Sequence, residues 1–248
     1  GALALRDRLA ALSSDARVLV AATGLPYKCP PAPFDLAVRI RHALGVEVAM
    51  AHPWPVPLAP FGTDAARRMQ GHFERAGVTY HGRFETARVA SDRLISTDGT
   101  ELPFDQAILI PPHRTPSALA DSPLANDGGW LPVSYPSLRH AEFDSVYGVG
   151  DCIAPPLQAG FAGTLAVHEA HHVADQMAGR VPPDAEPTME AICFMDFGTT
   201  GSFMHCNFGP PVRGEGRPDC RIMPEMPFFQ KARQVFQDEW FATTLRGA

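Results

Sequence analysis

The 248-residue chain has no run of about eighteen apolar residues, so nothing in it reads as a bilayer-spanning helix. It has no excess of basic charge: 21 Lys and Arg against 27 Asp and Glu leave a formal net charge of −6, a poor match for nucleic acid. No CxxC spacing occurs, which argues against a structural zinc site. No GxGxxG occurs either, the glycine turn that lets a dinucleotide pyrophosphate approach a helix N-terminus. No internal repeat, low-complexity tract or signal-peptide pattern is visible, and the first residues read as the middle of a helix. With 45% hydrophobic and 19% charged residues the composition is that of a globular protein able to bury a sizeable core. Against these absences stand 25 prolines, about twice ordinary usage, and five cysteines. Five is an odd number in a chain too large to need disulfide staples, so some of the thiols are expected to be chemical rather than architectural.

Hydrophobic periodicity places a helix over residues 1–14 and a buried parallel strand over 17–22 (RVLVAA). A helix over 34–44 stops at Gly45, a strand follows over 46–50, and a helix from Thr63 or Asp64 runs to Ala76 and stops at Gly77. A third strand at 78–81 completes half of a doubly wound parallel sheet. Period-two segments at 84–90 and 93–96, the turn at 97–100 and a strand at 106–110 then read as a β-meander. Residues 111–140 read as loop. A second strand-to-helix unit follows: VYGV at 146–149, a Gly150-Asp151-Cys152 turn, and a helix over 160–177. After a linker come two short strands near 191–196 and 202–208, a proline- and glycine-rich loop, and an amphipathic helix over 228–245. The fold class is α/β: a Rossmann-like parallel sheet with a β-meander over 1–110, the second half of a flavin domain over 111–180, and a small α+β region over 181–248.

Cys29 lies in TGLPYKCPPAPFD, after a buried strand and directly before a helix. The positive end of the helix dipole favours a thiolate there, and neighbouring Lys28 is expected to act the same way. Pro26, Pro30, Pro31 and Pro33 occupy the turn that would otherwise cradle a dinucleotide phosphate, which disfavours nicotinamide dinucleotide binding at this turn. Cys152, in VYGVGDC, also ends a strand. Asp151 beside it can hydrogen-bond a ribityl or ribose hydroxyl, although a GD turn is common turn chemistry.

Together KCPPAPFD, VYGVGDC and ICFMDFGTTG at 192–201 resemble the sulfide:quinone oxidoreductases and the flavoprotein subunit of flavocytochrome c sulfide dehydrogenases. The resemblance implies FAD as cofactor, with Gly150, Asp151, Gln158 and Gly160 around the flavin. It implies Cys29 and Cys152 as the redox pair, attacked by sulfide to leave a persulfide on Cys152 and a Cys29 thiolate facing the flavin. Phe194, Phe197, Phe203 and Phe208 match the region that forms a quinone pocket, and the alternative is that they are core phenylalanines. Sulfide and quinone are the implied partners, a homodimer the implied assembly, and a bacterial peripheral-membrane or periplasmic location the implied setting. The aromatic 228–245 helix either lies in a membrane interface or docks on the protein's own core. Two departures stand out: Gln158 occupies a position where the family has a lysine, and the family's GxGxxG unit ahead of the cysteine-proline turn has no counterpart.

A rival motif is His168-Glu169-Ala170-His171-His172, an HExxH that in zinc peptidases holds a metal between histidines one turn apart. A third ligand would come from Glu186, Glu190 or His205. A zinc hydrolase is therefore the alternative function, and a non-catalytic partner-binding module a third. Cys193 reads as core, and Cys206 or Cys220 is a candidate third sulfur for a polysulfide.

Overall fold

The computed structural model describes residues 1–154 and 162–242. The chain begins with α1 (Ala2–Ala10) and enters the core with β1 (Arg17–Ala22), whose last five residues are all buried. α2 (Ala32–Leu44) starts on prolines, which suit a helix's first turn because they lack the N–H that would go unpaired there. It stops where Gly45 turns left-handed at φ 68°. β2 (Glu47–His52) leads to α3 (Thr63–Ala76), stopped in the same way by Gly77 at φ 70°, and then to β3 (Val78–Gly82).

An antiparallel meander follows, β4 (Thr86–Val89), β5 (Arg93–Ser96) and β6 (Glu101–Pro103), before β7 (Gln106–Ile110). The meander's last strand is the three-residue β6, too short to show a period in the sequence. β7 leaves the meander and pairs in parallel with β1, giving the order β3-β2-β1-β7. The two faces of this sheet are covered differently. Val18, Val20, Val48 and Met50 meet Phe34, Met69 and Phe73 of the helices, whereas Leu19, Ala21 and Ala51 meet Phe84, Leu94, Leu102 and Phe104 of the meander.

The connection at 111–140 holds more order than its polar composition suggests. It carries the short helix α4 (Ser117–Ala120) and a two-residue ladder, β8 (Val133–Ser134) with β9 (Arg139–His140). A single 3-10 turn at Gly150–Cys152 precedes α5 (Ala162–Met177). The C-terminal part is an antiparallel sheet of β10 (Glu190–Asp196), β11 (Gly201–Asn207) and β12 (Asp219–Ile222), with the short α6 (Gly209–Val212) between the last two. α7 (Pro227–Trp240) lies on its β10 and β11 strands. Among the described residues no helix is long and apolar enough to cross a membrane.

β12 was not expected, and its pairing settles two cysteines. Cys206 and Cys220 face each other across β11 and β12 and form a disulfide, so neither is a spare sulfur for a polysulfide. The bridge closes a loop of 14 residues, worth about 3 kcal/mol in lost unfolded-state entropy. Replacing both cysteines by serine is expected to lower the urea midpoint accordingly, while leaving the thiol chemistry described below intact.

Candidate thiol site

The loop after β1 is held from three sides. Thr23 N–H donates to Ile110 O at 2.9 Å, and Gly24 passes so close to β7's exit that a Cβ there would come within 2.6 Å of Pro112. A chain of hydrogen bonds then pins the proline turn from below. Trp54 N–H donates to His52 Nδ1 at 2.9 Å, which makes Nε2 the protonated nitrogen, 2.9 Å from the Tyr27 hydroxyl. Tyr27 in turn donates to Pro30 O at 3.0 Å. His52 is fully buried, and burial pushes its pKa down to about 4, so the chain stays neutral and intact at physiological pH. Beyond it, Lys28 N–H donates to His113 Nδ1 at 3.1 Å. Cys29 itself sits in the left-handed region at φ 55°, an unfavourable conformation for a non-glycine residue, of the kind that fixed loops impose at functional sites.

The thiol that meets Cys29 is that of Cys193. Cys193 lies on the face of β10 that also carries buried Ala191 and Met195; its thiol donates to Phe194 O at 3.9 Å and is a close enough neighbour of Cys29 for each to act on the other's pKa. That neighbour pulls the Cys29 pKa down. Burial opposes it, the Ala32 N–H at the start of α2 adds to it, and the Asp35 and Asp151 carboxylates oppose it. Cys193 moves the other way, raised well above an ordinary thiol by the same neighbour, by burial and by nearby negative charge. The pair is therefore polarised: the surroundings favour the thiolate on Cys29 over one on Cys193. Lys28, expected to assist, spends its charge elsewhere: its Nζ lies 3.1 Å from Asp151 Oδ1 and 5.3 Å from the centre of the Trp130 ring. Cys152, expected as the partner of Cys29, donates its thiol to Val149 O at 3.3 Å.

A residue that sequence reasoning missed stands beside the pair. Asp35 is buried in the first turn of α2, its Oδ1 accepts Asp196 N–H at 3.0 Å, and its charge bears on both thiols. Burial pushes its pKa up to about 6, tempered by Arg233 and Arg39. Arg233 is paired with Asp196 at 2.9 Å. A carboxyl with a folded pKa above its unfolded value stabilises the protein fully below about 4, and that contribution is lost as pH rises through about 6. The shift from 3.8 to about 6 corresponds to about 3 kcal/mol. Asp35→Asn is thus expected to flatten the decline in stability between pH 4 and 7 seen in urea unfolding of the parent.

Of the expected flavin contacts, Gly150 turns at φ 72° and Asp151 reaches across to Lys28, while Gln158 and Gly160 lie outside the described residues. The turn borders a cavity of about 210 Å³ lined by Lys28, His113, Arg114, Trp130 and Asp151. The four phenylalanines do not form one wall. Phe194 and Phe203 pair across β10 and β11 at 5.2 Å between centroids and join Phe236 and Phe229 of α7. Phe197 instead stacks on His72 at 4.0 Å and is buried, and Phe208 packs on the main core. By strand alternation Phe194 and Cys193 point to opposite faces of β10. The HExxH helix does not present a metal face: His168 is exposed, whereas Glu169 is buried and accepts Gly150 N–H at 2.6 Å. His205 pairs with Glu190 at 3.4 Å, and Glu186 with Arg213 at 3.4 Å. Among the described residues no three potential ligands come together, so the zinc hydrolase reading has no site.

A solved sulfide:quinone oxidoreductase from Aquifex aeolicus superposes with a TM-score of 0.72 over 96% of this chain, at 18% identity. The chain shares that enzyme's fold. A FAD-dependent pyridine nucleotide-disulphide oxidoreductase from Desulfovibrio vulgaris (TM-score 0.55, 16% identity) covers 82% of this chain and 52% of its own. The covalent putidaredoxin reductase–putidaredoxin complex (0.59, 17%) covers 82% and 49%. In sequence, the mitochondrial sulfide:quinone oxidoreductase of Mus musculus is 32% identical over 65 residues, 26% of this chain and 14% of the mouse protein. The chain thus spans 60% of the Aquifex sulfide:quinone oxidoreductase and a small part of the mouse one. No protein-family model matches the chain.

Whether a flavin suits these residues can be judged from the cavity beside the Gly150 turn. Trp130 offers a flat wall, and Lys28, His113 and Arg114 offer donors that suit the carbonyl-rich edge of a planar ring. The described residues at this cavity thus suit the ring end of the cofactor.

Proposed function

We propose that this chain carries the thiol site of a flavin-dependent oxidoreductase that oxidises sulfide and passes the electrons to a quinone. The observation that carries the reading is the polarised Cys29–Cys193 pair in the place of a dinucleotide phosphate, and the fold shared with a sulfide:quinone oxidoreductase supports it. It replaces the expected partner Cys152 by Cys193.

In the oxidised pair the two sulfurs form a disulfide. Hydrosulfide attacks one sulfur and expels the other as thiolate, and the sulfur of lower pKa leaves faster. Cys29 is that leaving group, so the attack falls on Cys193: the Cys29–Cys193 bond breaks, Cys193 becomes the persulfide S–SH, and Cys29 holds the negative charge. A second hydrosulfide takes the outer sulfur as hydrodisulfide and leaves Cys193 reduced. Closing the disulfide again releases two electrons. Asp35, whose charge acts on both thiols, is the proposed acceptor of the thiol proton, with a pKa of about 6 that lets it hold either state near neutrality. The Gly150 turn, Asp151 and the walls of the Trp130 cavity would hold the ring end of a flavin, which would supply the two-electron acceptor. The proposed quinone contact is Phe194 and Phe203 with the α7 aromatics. Contact with a membrane surface is proposed through α7, whose Phe228 and Val235 are each 64% exposed.

The test is sulfide-dependent reduction of a soluble quinone by the flavin-loaded protein. Turnover that needs both sulfide and flavin supports the reading, and a loaded protein that leaves the quinone oxidised in the presence of sulfide removes it.

A further inference from the structure

The helix that carries HExxH holds a group the sulfur chemistry leaves unused. Glu169 is fully buried, and a buried carboxylate is unfavourable unless hydrogen bonds replace its lost water. It recovers one such bond, from Gly150 N–H at 2.6 Å, while its Oε1 is buried without a partner among the described residues. An apolar side chain would serve the core better, so packing alone does not account for a glutamate here.

The carboxyl lies under a turn that leads to Cys29. A Cβ at Gly150 would stand 3.3 Å from the Ala166 side chain, so α5 presses on the turn's backbone. The next residue, Asp151, holds Lys28 twice: its Oδ1 lies 3.1 Å from Nζ, and its carbonyl oxygen accepts from Nζ at 3.2 Å. Lys28 precedes Cys29 in the chain. We propose that Glu169 is a positioning residue, a carboxyl latch that ties the Gly150 turn to α5 and, through Asp151 and Lys28, holds the Cys29 loop against Cys193.

The latch responds to pH, and the direction follows from what faces it. Burial pushes its pKa up to about 7; Gly150 N–H pulls it down, Asp151 adds to the rise and Lys28 opposes it. His172 on the same helix is engaged by Pro136 O and Gln176, and His168 is exposed. The Cys152 thiol is bound to Val149 O. Because the closed form holds the proton more tightly than a solvated glutamate would, protonation favours the closed latch and ionisation favours its release. The loop is therefore held most tightly below about pH 4.5 and loosens as pH rises through about 7, beyond which little further changes.

Cys29 as the reacting thiol comes from the function proposed above, but the test needs neither flavin nor sulfide. Hydrogen exchange of the Gly150 amide, corrected for its intrinsic rate, is measured in the full chain from pH 6 to 8, alongside peptide-resolved alkylation of each thiol. The parent is expected to lose protection about tenfold over that range, and Glu169→Gln, which keeps the acceptor but cannot ionise, to show a flat profile. A flat profile in the parent, or a Glu169→Gln profile that follows the parent, overturns the latch. Should the variant fail to fold, the parent profile alone decides. If the parent's Cys29 reacts no faster than Cys152, the thiol assignment fails, while the amide profile still judges the latch.

Discussion

Cys193→Ser is expected to lower sulfide-dependent quinone reduction about a thousandfold or more, and Cys29→Ser to do the same. Each serine removes one half of the disulfide that hydrosulfide must attack, and an alcohol oxygen does not form a stable bond to sulfur in its place. The two variants are expected to differ in what remains. With Cys193 gone, Cys29 loses the neighbour that most lowers its pKa, so its alkylation at pH 7 slows as the thiolate fraction falls. With Cys29 gone, Cys193 loses the neighbour that most raises its pKa, while burial and Asp35 still push it up, so its alkylation is expected to stay slow. Cys152→Ser is expected to stay within about threefold of the parent, because its thiol is engaged only with Val149 O. A Cys152→Ser loss as large as that of Cys193→Ser would restore the other pairing.

The second large effect lies in stability. Phe34 is fully buried at the start of α2, and its ring centre is 5.5 Å from His52, 5.9 Å from Phe73, and 6.2 Å from both Trp54 and Tyr80. It fills the space between the parallel sheet and the helices, directly below the proline turn. Phe34→Ala is expected to cost about 4 kcal/mol, the transfer energy of the ring plus that of the cavity left behind. The cavity would open beside His52, so the chain His52–Tyr27–Pro30 that fixes the Cys29 loop would loosen as well. Urea unfolding measures the first consequence, and faster Cys29 alkylation in the folded variant the second.

Much of the framework was legible in the sequence because local signals decided it. VLVAA at 18–22 is apolar throughout since β1 lies between two parallel strands under covers on both faces, and Gly45 and Gly77 mark helix ends because each adopts a left-handed turn. Cys29 stood out because a cysteine and four prolines replace glycines at a strand-to-helix turn. Its partner did not, because the Cys29–Cys193 contact joins the first strand's turn to a strand near the other end of the chain. Alternation along β10 held the available clue: Cys193 shares a face with Ala191 and Met195, away from the aromatic face of Phe194. That same alternation divides the expected quinone phenylalanines, with Phe197 drawn into the core by His72. HExxH satisfied a spacing rule, but tertiary packing turned Glu169 inward toward a backbone N–H. Asp35 escaped notice because only burial distinguishes it from an ordinary acidic residue at a helix start.

The central claim is that Cys29 and Cys193 are the reactive pair. The direct measurement is to oxidise the folded protein mildly, block free thiols, digest without reduction and identify the disulfide-linked peptides. The account predicts a peptide joining Cys29 to Cys193, in addition to the one joining Cys206 to Cys220, with Cys152 recovered as a blocked free thiol. A link between Cys29 and Cys152, or Cys29 recovered unlinked after oxidation, would contradict it.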